Sequence, residues 1–234
     1  MREEFIAAVT LLAALLGCMP PAHAAPTSLQ VEVFDDGTLV YTTPVSTTGL
    51  VGVTALATTD FSSVTFNVEG TGNPAGSGLQ NPDLSTDTLD ATPRIGAVPA
   101  TLRLVVTQFN LTGFPSGVLQ VSDTTNALIG TFGAINQSTY LDPTNTPFGD
   151  GAGTLLNSHN VTVAPDAFAV SVDVGPGLTD FSETQVYTVN FESLEGSYGG
   201  AMQLKVLPVP EPATLVILGA ACAGLGLVRR RRAS

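Results

Sequence analysis

Few residues of this chain have side chains suited to covalent chemistry. Its only histidines are His23 and His159, and its only cysteines are Cys18 and Cys222. His159 could act as a general base, but a triad needs a nucleophile in reach, and Ser158, its neighbour, would point to the opposite face of a strand. His159 therefore reads as a surface histidine at the end of a loop. Glu192 and Glu195 could form an acid–base pair, yet their odd spacing sends them to opposite sides of a continuing strand, so a solvated pair is the simpler reading. No His/Cys set has the spacing of a zinc site. The sequence thus assigns no catalytic residue, no metal ligand and no cofactor.

Oxygen chemistry has more material. Asp142, Asn145 and Asp150 fall in a stretch bent by Pro143, Pro147, Gly149 and Gly151. Oxygen ligands on a flexible loop suit Ca²⁺, although the spacing is not that of an EF-hand. Asp and Asn are also ordinary turn formers, and the turn reading is preferred here and at Asp35 and Asp36. A sugar platform is harder to build, because flat aromatic faces are scarce. There is no Trp, and the tyrosines are Tyr41, Tyr140, Tyr187 and Tyr198.

The formal net charge is -12, and between residues 25 and 208 the only cations are Arg94, Arg103 and Lys205. So acidic a body repels phosphate backbones, which excludes nucleic acid as a partner. Cys18 and Cys222 lie outside this body, so no disulfide can brace it.

Any functional side chains must be positioned by strands. Val64, Phe66 and Val68 alternate with Thr65, Asn67 and Glu69, and Phe168, Val170, Val172 and Val174 repeat the pattern. Leu29 to Phe34 and Leu39 to Thr43 flank Asp35-Asp36-Gly37, which predicts a tight hairpin. Further strands are expected at Gly49–Thr58, Thr101–Phe109, Val118–Ser122, Ile129–Ile135, Asn160–Ala164, Gln185–Ser193 and Ala201–Leu207. Gly70–Pro99 and Leu141–Ser158 read as long loops. The fold class expected is all-β, a single β-sandwich or jelly-roll-like domain over 25–208.

The ends differ from the body. Phe5 to Gly17 is apolar, Pro20 and Pro21 break it, and Ala22-His23-Ala24 offers a cleavage site, so 1–24 reads as a signal peptide. Leu15-Leu16-Gly17-Cys18 is the alternative, a lipobox whose Cys18 would be lipidated. At the other end Val209-Pro210-Glu211-Pro212 is stiff and extended. The apolar run Ala213 to Val228 follows and would span roughly 24 Å as a helix, short of the ~30 Å hydrocarbon core. Arg229, Arg230, Arg231 and Arg232 then stop transfer and stay cytoplasmic.

Taken together, the signal peptide, the Val209–Pro212 motif, the apolar run and the arginine cluster resemble the PEP-CTERM class of exported bacterial proteins. That resemblance implies that residues 209–234 are a sorting and anchoring tail recognised by a membrane exosortase. It further implies delivery to the cell surface or extracellular matrix, in a setting of exopolysaccharide and biofilm. The expected function is a non-enzymatic structural or adhesive role, with exosortase, the membrane and matrix polymer as partners. A carbohydrate-binding module and an enzyme acting on extracellular polymer are the alternatives. Carboxylates converging in a deep cleft would favour the enzyme, and a row of exposed tyrosines the binding module.

Overall fold

The computed structural model describes residues 28–71, 83–149, 153–193 and 197–207. The signal peptide, Cys18, Asp150, Glu195 and the whole tail from Val209 to Arg232 lie outside the described residues. The described residues form ten strands: β1 Ser28–Asp35, β2 Thr38–Thr42, β3 Leu50–Leu56, β4 Phe61–Thr71, β5 Asp83–Pro93, β6 Ala100–Ile129, β7 Phe132–Asp142, β8 Thr154–Asn160, β9 Asp166–Phe191 and β10 Ser197–Leu207. All described pairings are antiparallel.

Two long strands organise the rest. The first half of β6 pairs with β1 and with the second half of β9, and its second half pairs with β10 and with the first half of β9. Each therefore passes from one sheet to the other. One layer runs β2-β1-β6-β9-β7-β8, and the other runs β3-β4-β5-β10-β6-β9. The passage in β6 coincides with a register shift between Gln108 and Leu111, where Asn110 adopts φ 60°. Asparagine tolerates this left-handed geometry better than other non-glycine residues, so the residue type permits the bend. Asn110 N–H donates to Asn145 Oδ1 (2.7 Å) and Asn145 Nδ2 donates to Asn110 Oδ1 (3.1 Å), which pins the bend to the turn after β7.

The core forms between the layers. Leu29, Val31, Val33, Phe61, Val64, Phe66, Val68, Leu84, Leu89, Leu102, Leu104, Val106, Leu119, Val121 and Phe191 are buried in one continuous cluster. Alternation in β4 is as the sequence predicts. In β9 the face of Phe168, Val170, Val172 and Val174 is only partly covered, with Phe168 37% exposed, because this half of β9 is the edge of its layer. The hairpin at Asp36-Gly37 is also as expected. Both residues have positive φ, 46° and 78°, the pair of values a two-residue type I′ turn requires.

Four expectations fail. The Gly70–Pro99 stretch contains β5, the central link between β4 and β10. Register shifts opposite Thr86–Leu89 break its alternation, and its inward positions include Thr86 and Ala91, so it lacks an apolar period-two signal. The Leu141–Ser158 stretch contains β8, which begins at Thr154, and the segment expected as a strand at Asn160–Ala164 is the loop that follows it. Ile129–Ile135 is interrupted at Gly130 and Thr131, between β6 and β7.

Candidate functional site

The two layers are joined by polar side chains as well as apolar ones. Thr86 Oγ1 donates to Gln185 Oε1 (2.9 Å), and Gln185 Nε2 donates to the Leu84 carbonyl (2.9 Å). Gln137 Nε2 donates to the Tyr198 hydroxyl (2.8 Å), and Asn157 Nδ2 donates to Asp123 Oδ2 (2.8 Å). Tyr198 folds back over Gly200, where any side chain would collide with its hydroxyl and ring. Tyr187 and Tyr198 are fully buried, and burial raises both hydroxyls, that of Tyr198 to about 12. Neither can belong to an exposed tyrosine row.

Two carboxyls are held in this interior. Burial pushes Asp123 up to about 7 against the pull of the Asn157 hydrogen bond. Burial, with Asp83 nearby, pushes Glu183 up to about 8, and neither Glu183 oxygen has a hydrogen-bond partner among the described residues. Gln108 lies opposite Glu183 across the β6–β9 ladder and is also buried and without a partner among them.

His159 is not the exposed histidine the sequence suggests. It sits within β8 with its side chain 16% exposed, Nε2 3.3 Å from Asp166 Oδ2 and Nδ1 3.9 Å from Asp123 Oδ2. Its ring stacks on Phe168 with centroids 4.7 Å apart. The edge half of β9 supplies both Asp166 and Phe168, which the loop after β8 brings back against the histidine. Ser158 turns away, bonding Asn136 and Ser138, so the two neighbours do not form a nucleophile and base. Glu192 is exposed beyond the end of β9.

The two acidic turns singled out by the sequence differ in construction. After β7, Asp142 Oδ1 accepts from Thr144 N–H (2.8 Å) and Thr144 Oγ1 (2.7 Å), forming a closed side-chain turn. Oδ2 faces Gly149, where a Cβ would be 2.8 Å away. Burial pushes the Asp142 carboxyl up, but the donors of Thr144 and Thr146 outweigh it and hold it below its ordinary value. Asn145 is committed to Asn110.

At the other end of the sandwich, Asp35 and Asp36 meet Asp60, from the connection between β3 and β4. One oxygen from each of the three lies within 4.8 Å of the others. Asp35 Oδ2 accepts from Asp60 N–H (2.9 Å), and Asp36 Oδ1 accepts from Thr101 N–H (2.7 Å). Asp35 is 4% exposed, and its Oδ1 is buried without a partner among the described residues. Arg94 braces the Asp60 loop, but with its guanidinium on the carbonyls of Thr58 (2.8 Å) and Phe61 (3.3 Å). Burial, followed by the charges of Asp35 and Asp36, raises the Asp60 carboxyl. Sequence reasoning reached Asp35 and Asp36 but missed Asp60, whose partnership spans 25 positions.

An open cleft of about 620 Å³ lies beside the β6–β7 turn, lined by Leu128, Phe132, Ile135, Val161 and Val163. None of the acidic groups above lines it.

Known proteins bear chiefly on the tail. Residues 208–232 match the PEP-CTERM protein-sorting motif. The match covers the segment on which the sequence resemblance rests and is consistent with an exosortase substrate. It implies an exported surface protein with a transient membrane-anchored state. No helix among the described residues is long and apolar enough to cross a membrane. No curated protein matches the chain.

Solved structures give distant likenesses to the sandwich. One is the enzymatically active domain of tailspike protein 4 of bacteriophage CBA120, at 15% identity and TM-score 0.34, covering 68% of this chain but only 19% of that one. Another is the K1 cleaved adhesin domain of Lys-gingipain from Porphyromonas gingivalis W83, at 12% identity and TM-score 0.35, covering 69% of this chain and 92% of that one. A third is TmCBM61 in complex with β-1,4-galactotriose, at 10% identity and TM-score 0.27, covering 59% and 86%. Likenesses this distant transfer no activity or ligand to the chain.

Proposed function

We propose that this chain is cargo for an exosortase. A signal peptide at 1–24 starts export, the helix over 213–228 and Arg229–Arg232 hold the chain in the inner membrane, and processing at the Val209–Pro212 motif releases the sandwich to the cell surface or matrix. There it serves a structural or adhesive role beside exopolysaccharide in a biofilm, without catalysing a reaction. The match at residues 208–232 carries this reading. Two features of the body support it. Net charge -12 favours solubility and self-repulsion outside the cell. Among the described residues, no carboxylate cluster lines the cleft beside the β6–β7 turn, and His159 is spent on Asp166 and Phe168.

Reporter fusions to the full-length chain test the topology. An enzyme reporter that works only in the cytoplasm should be active when fused after Ser234, while one that works only outside should be active when inserted in the exposed turn at Gly37. A Ser234 fusion active only outside the cell would overturn the orientation. For the role itself, deleting the chain should reduce matrix adhesion. Release of reducing sugar from matrix polymer by the purified chain would instead establish an enzyme.

A further inference from the structure

The geometry points to a divalent-cation site, of the type that takes Ca²⁺, formed by Asp35, Asp36 and Asp60 where the β1–β2 hairpin meets the β3–β4 connection. This inference is independent of how the tail is processed. Three carboxylate oxygens within 4.8 Å of one another would repel, and no ion pair reaches any of the three residues among the described residues. A second observation separates this cluster from an ordinary acidic surface. Asp35 is almost completely buried, its Oδ2 sits on the Asp60 amide, and its Oδ1 has no donor at all among the described residues. A buried carboxylate oxygen without a donor is costly, and a cation beside it removes that cost.

The donor set selects the metal. All three groups are oxygens, with no imidazole or thiolate, which favours hard cations over zinc or copper. They come from two separate segments, the β1–β2 hairpin and the β3–β4 connection, one fully buried, one exposed and one in between, an arrangement better suited to the flexible six-to-eight-oxygen shell of Ca²⁺ than to the strict octahedron of Mg²⁺. The backbone is already fixed around them. Asp36 exchanges two hydrogen bonds with Thr101, through its own N–H (2.9 Å to the carbonyl) and through Oδ1, and Arg94 N–H holds the Asp60 carbonyl at 2.7 Å. Structurally the ion would act as a clamp, because Asp35 and Asp36 belong to one layer of the sandwich and Asp60 to the connection between two strands of the other.

The test uses the full-length chain, stripped with chelator, then titrated with CaCl₂ or MgCl₂ while the thermal midpoint is read. With a Kd near 10⁻⁴ M, usual for extracellular calcium modules, about 10 mM CaCl₂ should raise Tm by about 5–10 °C, and MgCl₂ by less. D60N should abolish the calcium shift and, in chelator, should melt no lower than the parent. D36N keeps the acceptor for Thr101 and suits the positive φ, and it should weaken calcium binding at least ~10-fold by calorimetry. If D60N does not fold, D36N decides alone. No calcium shift in the parent, a shift kept in these variants, or a shift removed by D142N but not by D60N would each overturn the assignment.

Discussion

The turn after β7 and the turn after β1 are alike in composition and opposite in electrostatics. Asp142 spends Oδ1 on two donors of Thr144, and its carboxyl is held below its ordinary value. Asp35 and Asp36 each receive one backbone donor, and burial and the two neighbouring carboxyls raise the Asp60 carboxyl. What separates a structural acidic turn from a candidate ion site is therefore the number of donors per carboxylate and the distance to the next carboxylate, and neither is visible in local composition.

Among substitutions in the two turns, the largest effect should come from breaking the satisfied side of this comparison. Asp142→Ala strips both Thr144 hydrogen bonds from a buried position and should cost about 2 kcal/mol in urea denaturation at pH 7. Asp142→Asn, which keeps an acceptor, should cost less. Because the folded carboxyl is lowered, Asp142 contributes stability above its unfolded value near 3.8, and that contribution should fade as pH falls through the still lower folded value.

The interior carboxyls extend the comparison with the opposite sign. Asp123 and Glu183 keep their protons in the folded state up to about 7 and about 8, whereas the unfolded chain releases them near 3.8 and 4.5. Their stabilising contribution is fully present below the unfolded values and is lost as pH rises through the folded ones, so the urea midpoint should fall between pH 5 and pH 8.5. The combined change is on the order of a few kcal/mol. Asp123→Asn should flatten the fall up to about pH 7, and Glu183→Gln the part reaching about pH 8. An unchanged slope in both would show that these carboxyls ionise freely in the folded chain.

The smallest effect belongs to the unsatisfied turn. In chelator, Asp60→Asn removes a repelling charge and should raise the thermal midpoint slightly, by less than Asp142→Ala lowers it. A fall comparable to that of Asp142→Ala would mean that Asp60 carries a structural hydrogen bond and that the two turns are alike after all.

How much of this was legible in the sequence follows the same division between local and distant information. The Asp36-Gly37 turn was legible because a two-residue hairpin needs positive φ at both positions and few sequences supply it. Strand β4 was legible because Val64, Phe66 and Val68 face the core at period two. β5 was not, since register shifts interrupt its alternation and Thr86 faces inward to bond Gln185. Nor was it legible that β6 and β9 each serve both layers, because the bend rests on one left-handed asparagine, Asn110, held by a partner from another turn. The partners of His159 were hidden for a related reason: Asp123, Asp166 and Phe168 reach it where β8 meets β6 and β9 of the facing layer, outside its own ladder with β7. The tail needed no fold at all, since its signal is linear.

The central claim is that the tail is an address to be read and removed, and Glu211 tests it most directly. Between Pro210 and Pro212 it is the one ionisable group of the motif. In cells carrying an exosortase, intact-mass analysis of matrix and membrane fractions should find the parent chain in the matrix without its C-terminal tail. E211A should stay in the membrane at full length, ending at Ser234. If both chains reach the matrix equally, or if the matrix form of the parent still ends at Ser234, the tail is only an anchor and the sorting account is wrong.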